Sequence, residues 1–195
     1  MYKKLLLFLP LLGVLLLGGC ADPVVFAEVF QLNQEQKLYT AYNLWYDQEN
    51  KISCLNIQQG RFLPLGTEIE PLGTSSFPEE IRFKDVQTQQ EYVISFSDGH
   101  RLCSMREYIS YTFTTKNREE LLADLPPAVS ARILHGDVVP GMTPEQVKLA
   151  YGPPPAIRTP SESNESWIYW LTPDETLRLV FRAGKVRNVL NLNQR

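Results

Sequence analysis

Histidine, cysteine and methionine are scarce in this chain of 195 residues, which has two histidines, three cysteines and three methionines. The histidines, His100 and His135, do not combine with the cysteines in the spacing of a transition-metal site. Glycine-rich phosphate loops and the Gly-x-Ser-x-Gly nucleophile elbow are also absent. We therefore expect no metal and no cofactor, and we expect that the protein is not an enzyme.

Long apolar runs are missing after the first 19 residues. No later stretch approaches the roughly 18 consecutive apolar residues of a transmembrane helix. The exception is an apolar run over residues 5–17, which follows Lys3 and Lys4 and precedes Gly18 and Gly19. A short basic start, an apolar run of this length and small residues before a cleavage point are typical of a secretory signal peptide. We assign residues 1–19 to that signal.

Cys20 follows directly after this signal peptide and predicts a lipid anchor. The run Leu-Gly-Gly-Cys over residues 17–20 resembles the bacterial lipobox, in which the cysteine is lipidated and becomes the new amino terminus. The resemblance implies several acyl chains on Cys20, because a single chain binds a membrane only marginally. Ala21 after the cysteine implies the periplasmic side of the outer membrane, with residues 20–36 as a tether. The alternative is an ordinary signal peptide with a cysteine near its cleavage point.

The charge of the chain is unevenly distributed. The whole sequence has a net charge of −3, and without Lys3 and Lys4 it has 17 basic against 22 acidic residues. Residues 20–115 carry 13 acidic and 7 basic residues, whereas the chain from Thr176 onward carries five basic residues and no acidic one. An acidic chain of this kind is a poor binder of nucleic acid, so we expect no nucleic-acid partner.

Cys54 and Cys103 leave two interpretations open. In an oxidising compartment they could form one disulfide, closing a loop of about 50 residues that contributes roughly 4 kcal/mol in the chain-entropy model. They could equally be two small buried apolar residues, since both lie in strand-like stretches. His100 lies three positions before Cys103, so a cysteine–histidine nucleophile pair is a further hypothesis.

Residues 37–115 have the pattern of short strands separated by turns. Alternating apolar positions predict strands over 37–46, 52–57, 81–83, 92–96 and 108–114. Turns fall at 47–50 and 97–99, and no helical spacing interrupts the pattern. Several short strands without a helix favour a small antiparallel β-barrel or sandwich, and the number of strands favours an SH3-like barrel.

The spacing changes in residues 116–195. Helical periodicity covers 117–125 and 128–134, and a third helix begins after Thr143 with Pro144 at its first position and Gln146 completing a capping box. Three strands are predicted to follow, at 167–171, 177–181 and 186–190. Helices followed by a three-stranded meander make the chain as a whole an α+β protein.

This second part resembles the SmpA/OmlA (BamE-type) outer-membrane lipoprotein domain. The resemblance covers residues 126–192 and rests on Gly141-Met142-Thr143, a helix that ends at Gly152, a Trp-x-Tyr strand at Trp167 and a final hairpin. Tyr before Gly152 departs from the Leu usual in the family. The resemblance implies a two-helix plus three-stranded antiparallel domain that works with envelope proteins in outer-membrane assembly or maintenance, including the barrel-assembly machinery. The β-rich half has no counterpart in the minimal family member.

One face of the predicted sheet combines aromatic and basic side chains. Strand alternation places Trp167, Tyr169, Leu171, Leu177, Leu179, Phe181, Val186 and Leu190 on the face toward the helices. The opposite face then carries Ile168, Trp170, Arg178, Val180, Arg182, Arg187 and Val189. Such a face suits an anionic partner, either an acidic protein surface or a phospholipid headgroup. Alternatively, the acidic half of the same chain covers it.

We therefore expect a non-enzymatic, lipid-anchored interaction module of the outer membrane. In the alternative function, the β-rich half grips a peptide or a peptidoglycan strand through Tyr39, Tyr42, Trp45 and Tyr46. A third hypothesis is an envelope hydrolase that uses Cys103 and His100.

Overall fold

The architecture comes from a computed structural model, which describes residues 26–33, 35–96, 103–159 and 165–192. The predicted signal peptide, Cys20 and His100 lie outside these residues. The described helices are α1 (Phe26–Phe30), α2 (Met105–Thr112), α3 (Arg118–Leu122), α4 (Pro127–Leu134) and α5 (Pro144–Tyr151). None of the helices in these ranges has the length and apolarity needed to cross a membrane.

The described strands form three sheets. They are β1 (Leu38–Thr40), β2 (Leu44–Tyr46), β3 (Lys51–Ser53), β4 (Arg61–Leu63), β5 (Glu68–Ser76), β6 (Glu79–Asp85), β7 (Glu91–Ser95), β8 (Phe113–Thr114), β9 (Ser166–Trp170), β10 (Thr176–Arg182) and β11 (Lys185–Asn191). A six-stranded sheet has the order β3-β7-β6-β5-β1-β8, β2 pairs with β4, and a three-stranded sheet has the order β11-β10-β9. The predicted α+β class is confirmed.

The six-stranded sheet is a half-barrel and it is mixed. All its neighbours are antiparallel except β3 and β7, which are parallel, with Ile52 opposite Ile94. The prediction of a purely antiparallel sheet is therefore wrong at this edge. Two further strands of this sheet, β5 and β6, come between β3 and β7 in the sequence. The chain then returns to the edge of the sheet, where β7 runs parallel to β3.

The predicted strand over residues 37–46 is two strands. β1 belongs to the six-stranded sheet and β2 to the separate ladder with β4, and residues 41–43 turn the chain between them. Asn43 lies in this turn and is fully buried. Its side-chain amide donates to the carbonyls of Ile133 at 2.7 Å and Ala150 at 3.1 Å, and its oxygen accepts from the N–H of Leu65 at 2.9 Å.

The predicted strand over residues 108–114 is wrong for most of its length. Residues Met105–Thr112 form helix α2, and only Phe113 and Thr114 pair as a strand. The helix begins at a capping box, in which the Ser104 side chain accepts from the N–H of Glu107 and the Glu107 carboxylate accepts from the N–H of Ser104. This pair stabilises the first turn, which outweighs the strand preference of the aromatic and β-branched residues that follow.

The second part of the chain agrees closely with its predicted elements. α3, α4 and α5 overlap the three expected helices, and the three terminal strands form an antiparallel meander. α5 has Thr143 as its N-cap, Pro144 in its first turn and a capping box closed by Gln146, as predicted. Helix α5 ends at Gly152, which has a φ of 78°.

The described residues form two apolar cores, and the second core contains residues from both parts of the chain. The first core is made by the six-stranded sheet with α1 and α2, around Ile52, Phe83 and Ile94. The second core packs helices α4 and α5 on the three-stranded sheet, and it includes Trp45 and Leu65 from the β-rich part. The β-rich part therefore supplies buried side chains to the helical part.

Buried hydrogen bonds close the same junction. Asn56 is 7 % exposed, and its amide donates to the carbonyls of Asn43 and Tyr151, both at 3.0 Å. Its oxygen accepts from the N–H of Trp45 at 3.0 Å. Each of these bonds satisfies a buried backbone group, which would otherwise cost about 1–3 kcal/mol. Asn43 and Asn56 thus join the turn after β1, the second core and the end of α5.

Candidate interaction surface

The three-stranded sheet has one buried face and one face directed away from the helices. The buried face follows the predicted alternation, with Trp167, Tyr169 and Leu179 each at most 1 % exposed. The opposite face we call the outer sheet face. It consists of Ile168, Trp170, Thr176, Arg178, Val180, Arg182, Lys185, Asn188, Leu190 and Leu192. Across it, Arg178 of β10 lies between Ile168 of β9 and Leu190 of β11.

Because of a register shift in β11, part of the predicted outer face is wrong. The pairing changes between Val180 and Phe181, so that one residue of β11, Arg187, has no opposite residue on β10. Beyond this bulge the alternation is inverted relative to the prediction. Val189, expected outside, packs against the second core, and Leu190, expected inside, is 43 % exposed.

The basic side chains of this region are exposed and form no ion pair with another described residue. This holds for Arg178, Arg182, Lys185 and Arg187. Elsewhere in the chain, several charged residues are paired, as in Lys37 with Glu68 at 3.0 Å and Arg106 with Glu28 at 3.2 Å. The outer sheet face thus concentrates positive charge that the described residues leave uncompensated.

Trp170 forms the end of the outer sheet face nearest the β-rich part. The guanidinium of Arg158 stacks over its ring, 4.8 Å from the centroid, and the N–H of Gln58 donates to its carbonyl at 2.9 Å. The indole Nε1 of Trp170 and the amide Nε2 of Gln58 are buried and have no hydrogen-bond partner in the described part of the chain. The β-rich part therefore touches this face at its Trp170 end and leaves the arginines exposed.

The structure brings four of the five predicted partner-binding residues onto one face. Ile168, Trp170, Arg178 and Arg182 share the outer sheet face, and Arg187 lies beside it in the bulge. Sequence reasoning missed Arg158 and the two exposed leucines, Leu190 and Leu192. A loop residue such as Arg158 has no periodicity that could place it, and the leucines required the position of the bulge.

The predicted aromatic groove of the β-rich part does not form as one surface. Tyr42 and Trp45 are 3 % and 7 % exposed, and the Tyr42 hydroxyl lies 3.0 Å from Thr112 Oγ1. Trp45 and Tyr46 line a cleft of about 540 Å³ together with Lys51, Gln59 and Pro173, among other residues. Tyr39 lines a different depression. Because the chain turns between β1 and β2, the four aromatic residues cannot face one ligand.

Cys54 and Cys103 both pack against the first core, close to a group of buried tyrosines. Cys103 Sγ lies 3.3 Å from the hydroxyl of Tyr111, and burial raises the pKa of Tyr42, Tyr108 and Tyr111 above the ordinary value. The structure carries both cysteines as thiols, and the disulfide stays a prediction. The nucleophile pair also stays a prediction, since His100 is outside the described residues.

Acidic, histidine and cysteine side chains do not cluster into a metal site anywhere in the described ranges. Comparison with protein-family models, curated proteins and solved structures finds no match. The resemblance to the BamE-type domain, and the function that it implies, therefore remain predictions.

Proposed function

We propose that this chain is a lipid-anchored, non-enzymatic interaction module of the bacterial outer membrane. In this proposal Cys20 carries the acyl chains and holds the protein at the periplasmic surface. The half-barrel corresponds to an SH3-like barrel, and the helices with the three-stranded sheet correspond to a BamE-like domain. The module docks on envelope proteins during outer-membrane assembly or maintenance, and the barrel-assembly machinery is the first candidate.

The observation that carries this proposal is the composition of the outer sheet face. It combines exposed cations that lack counter-ions among the described residues with two leucines that are each 43 % exposed. Arginine is favoured at interfaces because its planar guanidinium makes forked hydrogen bonds to carboxylates and stacks on aromatic rings. An acidic protein surface with apolar patches complements this face. An anionic phospholipid headgroup offers the same negative charge.

The test is crosslinked capture of partners from membranes that contain the full chain. Charge reversal by R178E and R182E together should strongly reduce capture of barrel-assembly proteins, because it replaces attraction by repulsion on the docking face. Phospholipid vesicles with and without anionic lipid, offered to the same purified protein, distinguish a headgroup from a protein as the source of negative charge. Fractionation of a C20S variant reports separately on the anchor.

The matched control is R82E, which reverses an exposed arginine on β6 of the other sheet. Capture that is lost equally in R82E, or that persists in the double variant, contradicts docking through the outer sheet face. Thermal unfolding of each variant shows whether the fold is retained. A C20S protein that stays in the membrane fraction contradicts anchoring through Cys20.

A second candidate function is binding of a peptide or peptidoglycan strand in the cleft beside β2. It is favoured by Tyr46, which lines the cleft and carries the Arg61 guanidinium 5.1 Å above its ring. It is weakened by the burial of Tyr42 and Trp45. Titration of the protein with peptidoglycan fragments tests it, and equal affinity of wild type and Y46A would remove the support.

A further inference from the structure

Cys54 and Cys103 are about 50 residues apart in sequence, and both pack against the first core. Cys54 directly follows β3, and its N–H donates to the carbonyl of Ser95, the last residue of β7, at 3.1 Å. Cys103 comes directly before the N-cap of helix α2. The two cysteines therefore belong to the end of an edge strand and to the start of a helix.

A series of aromatic contacts connects these two positions. Cys103 Sγ lies 3.3 Å from the hydroxyl of Tyr111, and the rings of Tyr111 and Tyr108 pack with 5.2 Å between their centroids. Tyr108 in turn packs against Phe96, at 4.9 Å, and Phe96 directly follows the residue whose carbonyl accepts from Cys54. The start of α2 and the ends of β3 and β7 therefore meet in one region of the first core.

The electrostatics of the buried tyrosines also place the two thiols near each other. Burial raises the pKa of Tyr42 and of Tyr111, and charge interactions with both Cys54 and Cys103 raise it further. Because such interactions weaken with distance, each of these two hydroxyls is near both sulfur atoms. The ring contacts and the electrostatics thus agree that the two thiols lie beside the same hydroxyl groups.

Both cysteines are only partly buried. A thiol in such a position can be reached by an oxidised dithiol protein, the class of carrier that delivers disulfides in the bacterial periplasm. Cysteines enclosed in an apolar core are inert to such a carrier. The partial exposure of Cys54 and Cys103, and the hydroxyl that contacts Cys103, favour a disulfide over two small apolar core residues.

We propose that Cys54 and Cys103 form a disulfide that fastens the start of helix α2 to the end of β3. One thiolate attacks the disulfide of an oxidised carrier protein, and the second thiolate then attacks the mixed disulfide and releases the carrier. The cysteine pair loses two electrons, which reduce the carrier to its dithiol, and the two thiol protons end on the carrier's sulfurs. Formation of the bond rests on the proposed function, which places the chain in the periplasm.

The bond acts on a part of the sheet that has few other constraints. β3 has three residues and lies at the edge of the six-stranded sheet, where its neighbour is β7. A covalent link to α2 therefore restrains this edge. Ser53 and Ser95 line the cleft beside β2, so the same link holds one wall of that cleft. In the chain-entropy model, closing the loop also restricts the unfolded chain.

Two-step alkylation of the full chain in membranes tests the bond. Membranes are quenched with acid, denatured and treated with iodoacetamide, and are then reduced and treated with N-ethylmaleimide. Mass spectrometry should find N-ethylmaleimide on both Cys54 and Cys103 of the wild type, and a non-reduced digest should contain the two peptides linked. C54S and C103S are matched controls, because each should leave no linked peptide.

The same full chain, purified in detergent and reduced, separates the geometry of the pair from its compartment. In mixtures of oxidised and reduced glutathione the pair should close, and it should stay closed in an excess of reduced glutathione, as a structural disulfide does. Dithiothreitol should lower the ratio of folded to unfolded protein by roughly a thousand-fold in urea unfolding. The double variant with C54S and C103S should not respond to dithiothreitol.

The possible outcomes distinguish this proposal from the proposed function. A linked pair in membranes and in detergent supports both the disulfide and the periplasmic location. A pair that links in detergent but stays reduced in membranes supports the contact between the cysteines and contradicts the location. A pair that links in neither setting overturns the disulfide. Equal responses of the wild type and the double variant to dithiothreitol would overturn the fastening of α2 to β3.

Discussion

Single buried residues connect the two parts of this protein. Gly152, at the end of α5, has φ 78° and ψ −179°, a backbone conformation that is essentially restricted to glycine. A Cβ at this position would lie 2.5 Å from Cε2 of Tyr42, whose ring is buried in the first core. The absence of a side chain at Gly152 thus allows α5 to end directly against the β-rich part.

We expect G152A to lower the free energy of unfolding by about 3 kcal/mol, combining backbone strain with steric overlap against a ring that cannot move. G184A is the comparison, since Gly184 also has a positive φ, 72°, but a Cβ there meets nothing within 4 Å. Its cost should stay near 1–2 kcal/mol. Urea unfolding of both variants measures the difference, and equal destabilisation would show that Tyr42 adapts to the methyl group.

At the scale of elements, helix α2 depends on its capping box. The Glu107 carboxylate accepts from the Ser104 N–H at 2.7 Å and from its hydroxyl at 2.8 Å. These hydrogen bonds favour the ionised form and hold the pKa of Glu107 below its ordinary value. A carboxyl whose pKa is lowered by folding stabilises the protein above the unfolded pKa. That contribution is lost as the pH falls through the lowered, folded pKa.

The E107Q variant should therefore differ from wild type in the pH dependence of stability. At neutral pH the wild type gains from the ionised carboxylate, and this advantage should fade as the pH is lowered below the ordinary range of a glutamate pKa. Urea unfolding followed by circular dichroism from neutral pH to about pH 3 measures it. S104A removes the hydroxyl donor and should reduce the same pH dependence. Parallel pH profiles for wild type and E107Q would contradict this account.

The elements show what could be predicted from sequence and what could not. Helix α5 was predictable because Thr143, Pro144 and Gln146 are local signals that act on the same helix turn. Helix α2 had the same kind of signal in Ser104 and Glu107, yet the alternation of the following aromatic residues suggested a strand. Local signals at a helix start are here more informative than a short alternating pattern.

The composition of the outer sheet face was also predicted only in part. Here the error comes from strand pairing and not from competing local signals. Period-two alternation placed Ile168, Trp170, Arg178 and Arg182 together. It failed for Leu190, because the bulge in β11 arises from how the strands pair and has no mark in the sequence. The contacts of Asn43 were equally inaccessible, since its partners lie 22 to 107 residues away.

At the scale of the whole molecule, the second core makes the two parts interdependent. Leu65 follows β4 in the β-rich part, is fully buried, and belongs to the core between the helices and the terminal sheet. L65A should lower the free energy of unfolding by about 2–5 kcal/mol through lost contacts and a cavity. L72A, at a leucine that is 43 % exposed, should have a much smaller effect.

The same variant tests cooperativity. Because Leu65, Asn43 and Asn56 link the parts, tryptophan fluorescence and far-ultraviolet circular dichroism should report one common transition in wild type. Both signals should shift together in L65A. Two separate transitions, with only one displaced by the substitution, would show that the parts unfold independently.

The hydrogen bonds of the two buried asparagines also determine when, during synthesis, this protein can finish folding. The carbonyls that Asn43 binds belong to Ile133 and Ala150, and the core around them is finished only by strands that reach Val186. During synthesis, more than half of the protein must therefore be made after the turn that follows β1 before that turn can form its native hydrogen bonds. Until then its polar groups remain in water. Contacts so distant in sequence form slowly. In a shortened chain that lacks the terminal sheet, Trp45 and Leu65 would lose the core that covers them. Such a chain would be prone to aggregation.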